Sequence, residues 1–326
     1  MSILIYGAAG YTGSMVARQA KGAGLDILLG GRDETKLAAL ANELGVACRI
    51  FQAKGDAATQ ALSGVRVLLN CAGPFALTAE PLMRACIAAA VHYLDITAEI
   101  GVYQLAERLG PEASRAGVML LPGVGWDVVP TDCLAMQLAA RVDKPTSLRI
   151  ALQVAGSMSR GSAISAGEIV AAGVLARQAG QLVPTPDAQP RSFDFGQGAV
   201  ACAPLSFGDL VTAWHSTGIP NIEMFVNVTG GAFPVSNLAS MPDGPSAQER
   251  ATQPARAVVE VTADDGTIRA AVIETVNGYT YTPLAAVEAA RHVVEGNFRS
   301  GFQTPARVFG PCFAEAIPGT RVTHLT

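Results

Sequence analysis

The chain predicts two domains: an α/β unit with a doubly wound parallel sheet over residues 1–142, then an α+β unit on a mixed or antiparallel sheet over 143–282. Three observations predict this. In residues 1–125, short strands that are apolar throughout alternate with helical stretches, as in a parallel sheet covered on both faces. Glycines at positions 7, 10 and 13 follow the first strand and open the first helix. Around Asp143, Lys144 and Pro145 the pattern then changes to longer strands and fewer helices.

In chain order, Ser2–Tyr6 reads as a strand, Gly7–Gly13 as a glycine-rich turn, and Ser14–Gly22 as a helix with Val16 and Ala20 on one face. A strand at Asp26–Leu29 and a helix at Glu34–Leu44 follow. Further strands are expected at Ala47–Gln52, Val65–Cys71, His92–Ile96 and Val118–Leu121, with a helix at Ala79–Ala90 and another at Thr131–Ala140. In the second half, Leu148–Val154 alternates like a half-exposed strand and Ile164–Gln178 reads as helical. Strands are then expected at Arg191–Phe195, Asn221–Val228, Ala257–Thr262 and Thr267–Thr275, and Pro184, Pro186 and Pro190 mark an exposed loop. Pro283–Glu295 is strongly helical, and residues 283–326 are read as a segment that could return to complete the first domain.

Composition narrows the function classes. Half of the 326 residues are hydrophobic and 15% are charged, which suits an ordered globular chain. A net charge of −4 without a basic block argues against nucleic acid as a partner and leaves small molecules or a second copy, so a homodimer is expected. The apolar run Met224–Pro242 is interrupted by Asn227, Gly230, Gly231 and Pro234, so no integral membrane segment is expected. The chain opens on a strand and a glycine turn rather than a basic segment ahead of an apolar run, so no secretory leader is expected. Six cysteines without paired spacing suit reduced thiols in a cytoplasmic protein, and with four scattered histidines they offer no metal site.

Gly7, Gly10 and Gly13 form a GxxGxxG fingerprint in strand–turn–helix order, the signature of a dinucleotide-binding Rossmann domain. There the chain must turn tightly, a pyrophosphate must approach the backbone, and the helix must sit close to the strand. Ala9, Tyr11 and Thr12 share the turn and the first N–H groups of the helix, which carry partial positive charge. NAD-binding domains place Asp or Glu at the end of the second strand to hold the ribose 2′-OH. Here that place holds Gly30 or Gly31 followed by Arg32, whose planar guanidinium suits a 2′-phosphate, so NADP(H) is the expected cofactor. Asp33, next in line, reads as the cap of the following helix.

Asn70, Ala72, Gly73 and Pro74 lie just past an apolar strand, at the edge where open α/β sheets bind ligands, and join the cofactor set. On the next strand, alternation puts Tyr93, Asp95 and Thr97 on one face. Asp95 either orients the cofactor or satisfies buried backbone donors, since a carboxylate in a buried strand needs partners. Trp126 and Asp127 follow the strand after that, and Thr131 or Asp132 could cap the helix through Leu138.

These stretches resemble the NADP-binding domain of the saccharopine dehydrogenase-like oxidoreductases, including the trans-acting enoyl reductases. The resemblance rests on YGAAGYTG at Tyr6–Gly13, GGRDETKL at Gly30–Leu37, NCAGPF at Asn70–Phe75, HYLDITAE at His92–Glu99 and GVGWDVVPTD at Gly123–Asp132. Looser likeness continues through Ser159–Glu168, Phe207–Glu223 and the last fifty or so residues. It implies a Rossmann domain, an α+β domain for substrate or dimer contacts, and NADP(H). It does not imply saccharopine as substrate. A dicarboxylate needs cationic clamps, and the second domain offers few beyond Arg160, Arg177 and Arg191, while Met224–Met241 suits an uncharged molecule.

The expected reaction is hydride transfer from NADPH to a C=C or C=N bond, with Tyr93, Asp127 or His215 as candidate proton donors. No Tyr-x-x-x-Lys pair of the short-chain dehydrogenase type is present. Two other readings stay open: a redox-inactive NADP(H)-binding sensor, and an oligomer built on an apolar face of the second sheet.

Overall fold

The computed structural model describes residues 2–229 and 241–325, so part of the Met224–Met241 stretch falls outside the described residues. Chain packing divides it into two units. The first comprises Met1–Thr97, Gly101–Gly125 and Thr282–Gln303, the second Ala98–Ile100, Trp126–Tyr281 and Thr304–Thr326.

The first unit runs β1 (Ser2–Tyr6), α1 (Tyr11–Gly22), β2 (Ile27–Gly31), α2 (Glu34–Leu44), β3 (Cys48–Ile50), α3 (Gly55–Gln60), β4 (Val65–Asn70), α4 (Phe75–Ala89), β5 (His92–Asp95), α5 (Ile100–Arg115) and β6 (Met119–Leu121). Every residue of β1 is buried, which is why it reads as an uninterrupted apolar run and takes the centre of the sheet. Helix α2 starts where the sequence places it. The Asp33 side chain accepts a hydrogen bond from the Lys36 N–H at 3.0 Å, and Gly45 closes the helix in the left-handed conformation at φ 62°. Helices α3 and α5 are additions to the sequence reading; Pro111 inside α5 is the kind of residue that hides a helix from periodicity.

The second unit begins with α6 (Val129–Ala139), β7 (Pro145–Ala155), α7 (Arg160–Ala171), β8 (Leu175–Gln178), β9 (Gln181–Pro184), β10 (Arg191–Asp194), β11 (Ala199–Pro204), α8 (Asp209–Thr217) and β12 (Asn221–Thr229). The chain continues through α9 (Ala247–Thr252), β13 (Ala255–Ala263), β14 (Ile268–Thr275), then α10 (Gly278–Val294) and β15 (Gly301–Phe302), which belong to the first unit from Thr282 on, and ends in the second unit with α11 (Pro305–Phe309) and β16 (Arg321–His324).

The first sheet is parallel throughout, in the order β3-β2-β1-β4-β5-β6-β15. The order reverses between β1 and β4, and such a switch point opens a ligand crevice at the carboxyl ends of the strands. Strand β15 supplies the outer edge, Gly301 and Phe302 pairing Met119 and Leu120. Of the stretch read as a possible return, the part up to Gln303 joins this unit and Thr304 onward joins the second. Helix α6 also belongs to the second unit, where it packs on β13, so the change of unit at Gly125–Trp126 precedes the change of pattern at Asp143.

The second sheet runs β10-β11-β12-β7-β13-β14-β16, with β8 and β9 attached beside β12. It is mixed: β12 and β7 are parallel, their other neighbours antiparallel. The sequence predicts one open face on this sheet. Instead the β10–β11 hairpin curls back across it, since Phe193 lies 5.0 Å from Phe225 and Arg191 reaches Glu260 on β13 at 3.5 Å. Phe193, Phe195 and Cys202 thereby bury Ala151, Phe225, Val258 and Val272. Each large apolar side chain so covered contributes about 1.5–3 kcal/mol.

Helix α7 spans Arg160–Ala171, not Ile164–Gln178. Its N-cap Ser159 accepts from the Ser162 N–H at 3.0 Å, and Gly173, at φ 74°, breaks the chain away so that Leu175–Gln178 pairs as β8. Among the described residues no helix is long and apolar enough to cross a membrane.

Candidate functional site

The three fingerprint glycines divide their work. Gly7 sits at φ 77°, and a Cβ there would meet the Ala72 backbone N at 2.8 Å, so only glycine lets the β1–α1 turn lie against the β4–α4 turn. A Cβ on Gly13 would come within 2.2 Å of the Gly7 carbonyl oxygen, so glycine there lets α1 sit close to the turn. Gly10 is the exposed N-cap of α1, and a Cβ there would meet only the Gly7 oxygen, at 3.2 Å, before open space. A bare backbone thus lies at a helix N-terminus, where the first-turn N–H groups have no preceding intrahelical carbonyl. Thr12 and Tyr11 are half-buried at that turn and Ala9 precedes it. Such a cradle can hold a pyrophosphate.

Beyond β2, Arg32 is exposed and makes no ion pair among the described residues. Asp33, whose charge would repel a phosphate, is turned to the α2 N-terminus and lies 3.9 Å from the Lys36 ammonium. Gly30 is not merely the absence of an acid. A Cβ there would strike Leu4 at 2.9 Å, Phe51 at 3.2 Å and Tyr6 at 3.3 Å.

At the ends of β4, β5 and β6 a buried polar network ties three turns together. Asn70 Oδ1 accepts from the Ala72 N–H at 3.0 Å, while its Nδ2 donates to the Thr78 hydroxyl at 3.1 Å and to the Tyr93 hydroxyl at 3.2 Å. Thr78 in turn donates to the Ala72 carbonyl at 2.7 Å. Tyr93 donates to Asp95 Oδ2 at 2.8 Å, and Asp95 Oδ1 accepts from the Thr97 and Gly123 N–H groups at 3.0 and 2.9 Å. Tyr93 and Asp95 are both 0% exposed. Burial, together with the neighbouring Asp95 charge, pushes the Tyr93 phenol well above its ordinary pKa. Of the two roles left open for Asp95, the satisfaction of buried N–H groups is the one the geometry displays. Gly73 and Pro74 are more open and lead into α4, with Pro74 as its N-cap.

Asp127 and His215 lie in the second unit and Tyr93 in the first, so the three candidate donors are not one cluster within a unit. Asp127 is half-buried just before α6, and loss of solvent pushes its carboxyl up to about 6. His215 is half-buried on α8, a helix where the sequence suggests a polar segment. Trp126 is buried, its indole N–H donating to the Thr275 hydroxyl at 2.9 Å.

Neither Thr131 nor Asp132 caps a helix. Helix α6 begins earlier, at Val129, and both side chains turn inward. Thr131 donates to Asp209 Oδ1 at 2.8 Å, and Asp132 Oδ2 accepts from the Ala306 N–H at 2.9 Å. Among the described residues Asp132 Oδ1 and Asp209 Oδ2 are buried without a hydrogen-bond partner, and burial raises both carboxyls, Asp209 far above the usual carboxylate range. The three second-unit arginines named above as potential carboxylate clamps are engaged. Arg160 bonds the Met241 carbonyl and Asp243, buried Arg177 bonds the Leu210 and Gly180 carbonyls, and Arg191 pairs with Glu260.

The contacts of Gly123 and Tyr6 escape sequence reasoning because their partners, Asp95 and Phe51, are distant in the chain; Thr78, only six and eight residues from Ala72 and Asn70, carries no local signal of its role. The signal for Gly123 was its positive φ, 76°, which a strand-end glycine can advertise.

Residues 3–121 match the family model described as saccharopine dehydrogenase NADP binding domain. A putative trans-acting enoyl reductase of Mycobacterium tuberculosis is 30% identical over 152 residues, covering 43% of this chain and 36% of that protein. The human saccharopine dehydrogenase-like oxidoreductase is 26% identical over 153 residues, covering 40% and 35%. The chain thus spans about a third of the length of these curated relatives. Apo saccharopine dehydrogenase (L-Glu forming) from Saccharomyces cerevisiae aligns over 100% of both chains with a TM-score of 0.66 at 12% identity, a likeness of fold. Residues 3–121 therefore correspond to a saccharopine dehydrogenase NADP binding domain, which binds NADP(H).

Proposed function

We propose that the protein is an NADPH-dependent reductase of a C=C or C=N bond in a small, largely uncharged organic molecule. The observation that carries this is the bare Gly10 backbone at the α1 N-terminus, with exposed Arg32 beyond β2 and the Asn70–Pro74 turn beside it. Gly7–Gly13 would hold the pyrophosphate, with Ala9, Tyr11 and Thr12 supplying backbone; Arg32 would hold the 2′-phosphate. Asn70, Ala72, Gly73 and Pro74 would line the nicotinamide ribose, their turn held in place by Asp95 and Tyr93. Bound NADPH supplies the hydride.

Asp127 is the side chain best suited to the proton. A carboxyl pushed up to about 6 is part-protonated near neutrality, where general acids work best. An uncharged substrate is supported by the engagement of Arg160, Arg177 and Arg191 elsewhere, and reduction of a C=C bond by the name of the mycobacterial relative. A homodimer in the cytoplasm completes the proposal, the six free cysteines being consistent with a reducing compartment.

The test is NADPH oxidation, followed optically, against a panel of α,β-unsaturated carbonyl compounds and imines, in the wild type and Asp127→Asn. Turnover that falls at least about a hundredfold in the variant is expected. Tight NADPH binding with no oxidation across the panel would instead favour a sensor of the NADP(H) pool.

A further inference from the structure

The end of β1 carries a residue that the glycine fingerprint does not include. Tyr6 is 2% exposed, and its ring lies 4.9 Å from that of Phe51, just past β3. Its hydroxyl donates to the Phe51 carbonyl at 3.4 Å and takes a hydrogen bond from the Ala53 backbone. One phenol therefore fastens the segment after β3 to the end of β1, across the intervening β2. Burial raises this phenol above its ordinary value, while the Ala53 bond and the nearby Arg32 charge act against that rise; the Phe51 N–H donates to the Gly31 carbonyl at 3.0 Å, which sets the same segment beside Arg32.

The same ring bears on position 30. Together with Leu4 at 2.9 Å, Tyr6 and Phe51 line the space a Gly30 side chain would enter, leaving a Cβ only 3.3 and 3.2 Å from the two rings. An acid at position 30, which would hold a free ribose 2′-OH, has no room while these three side chains are in place. Gly31 differs, since a Cβ there would make ordinary contacts of 3.7 Å or more with Leu37.

We propose that Tyr6 is a positioning residue for recognition of the 2′-phosphate: its ring, with Leu4 and Phe51, excludes an acidic side chain from position 30, and its hydroxyl fixes the Phe51–Ala53 segment beside Arg32. This rests on the reading of Arg32 as the phosphate's ligand. Fixing the surroundings of an exposed arginine before the ligand arrives lowers the ordering cost of binding, a gain that only a ligand carrying the 2′-phosphate collects. Binding of NADH, which carries a hydroxyl there, does not draw on it.

The experiment is titration of the full chain with NADPH, NADH, 2′,5′-ADP and 5′-AMP, in the wild type, Tyr6→Phe, Arg32→Ala and the double variant. Tyr6→Phe keeps the ring and removes the hydroxyl. The expected result is an NADPH-to-NADH preference reduced about five- to tenfold in Tyr6→Phe, with 5′-AMP affinity unchanged and no further loss when it is added to Arg32→Ala. If Arg32→Ala abolishes the preference but Tyr6→Phe leaves it intact, the Arg32 reading stands and the Tyr6 proposal falls. Equal loss for all four ligands, or a Tyr6→Phe protein that does not fold, makes Tyr6 a structural residue only and overturns the proposal. A wild type without preference for the 2′-phosphate removes both.

Discussion

Tyr93→Phe separates a proton donor from a structural hydroxyl. The substitution keeps the ring in its fully buried place and deletes one oxygen, which donates to Asp95 Oδ2 at 2.8 Å and accepts from Asn70 Nδ2 at 3.2 Å. The Asp95 bond is charge-assisted, and such bonds contribute about 1.5–3 kcal/mol. Asn70 keeps its bond to Thr78, so losing its link to residue 93 adds roughly 0.5–1.5 kcal/mol. The sum is a loss of about 2–4.5 kcal/mol. At roughly 2–4 °C per kcal/mol for a cooperative unit of this size, Tm should fall by about 5–15 °C. Calorimetry gives the melting shift, and NADPH titration well below Tm should show affinity within about threefold of wild type, because Asp95 still accepts from Thr97 and Gly123. Unchanged Tm would refute the network as a source of stability. Unchanged Tm with turnover reduced about a hundredfold or more would restore Tyr93 as the acid.

Gly13→Ala should abolish nucleotide binding while the second unit still folds, because the new methyl would have to displace the Gly7 carbonyl 2.2 Å away; NADPH fluorescence titration and circular dichroism check both halves of this. Asp209→Asn should stabilise the protein at neutral and alkaline pH. An acid with a raised folded pKa gives full stability below its unfolded value, near 4, and loses it as pH rises toward the folded value, since only the unfolded chain then ionises freely. The wild type should therefore lose Tm as pH is raised from about 4, and the variant should lose less; parallel Tm–pH curves would mean that Asp209 carries its charge in the folded state.

The cofactor half of the molecule was legible because its signals are local. A run of apolar residues, three glycines and a cap lie within a few residues of one another, and the physics linking them acts at that range. The reading failed where a partner comes from far along the chain. Ile164–Gln178 has helical spacing, yet Leu175–Gln178 pairs with Gln181–Pro184 as a strand hairpin beside β12. Asp132 has the position of a cap and spends itself on Ala306. Alternation promised an open sheet face that the hairpin carrying Phe193 and Phe195 covers.

The sequence alone determined the alternation of buried strands with helices in the first domain, the glycine turn at a helix N-terminus and the presence of a guanidinium in place of an acid beyond β2, because backbone conformation and residue type dictate these at short range. Tertiary structure alone decided that Tyr93 and Asp95 join one buried network, that Asp132 and Asp209 share a buried acidic interior, and that Gly30 is glycine because Leu4, Tyr6 and Phe51 occupy its space. Burial and hydrogen-bond partners are properties of residues brought together from separate parts of the chain, and they set whether a titratable group can reach a substrate or only hold the fold.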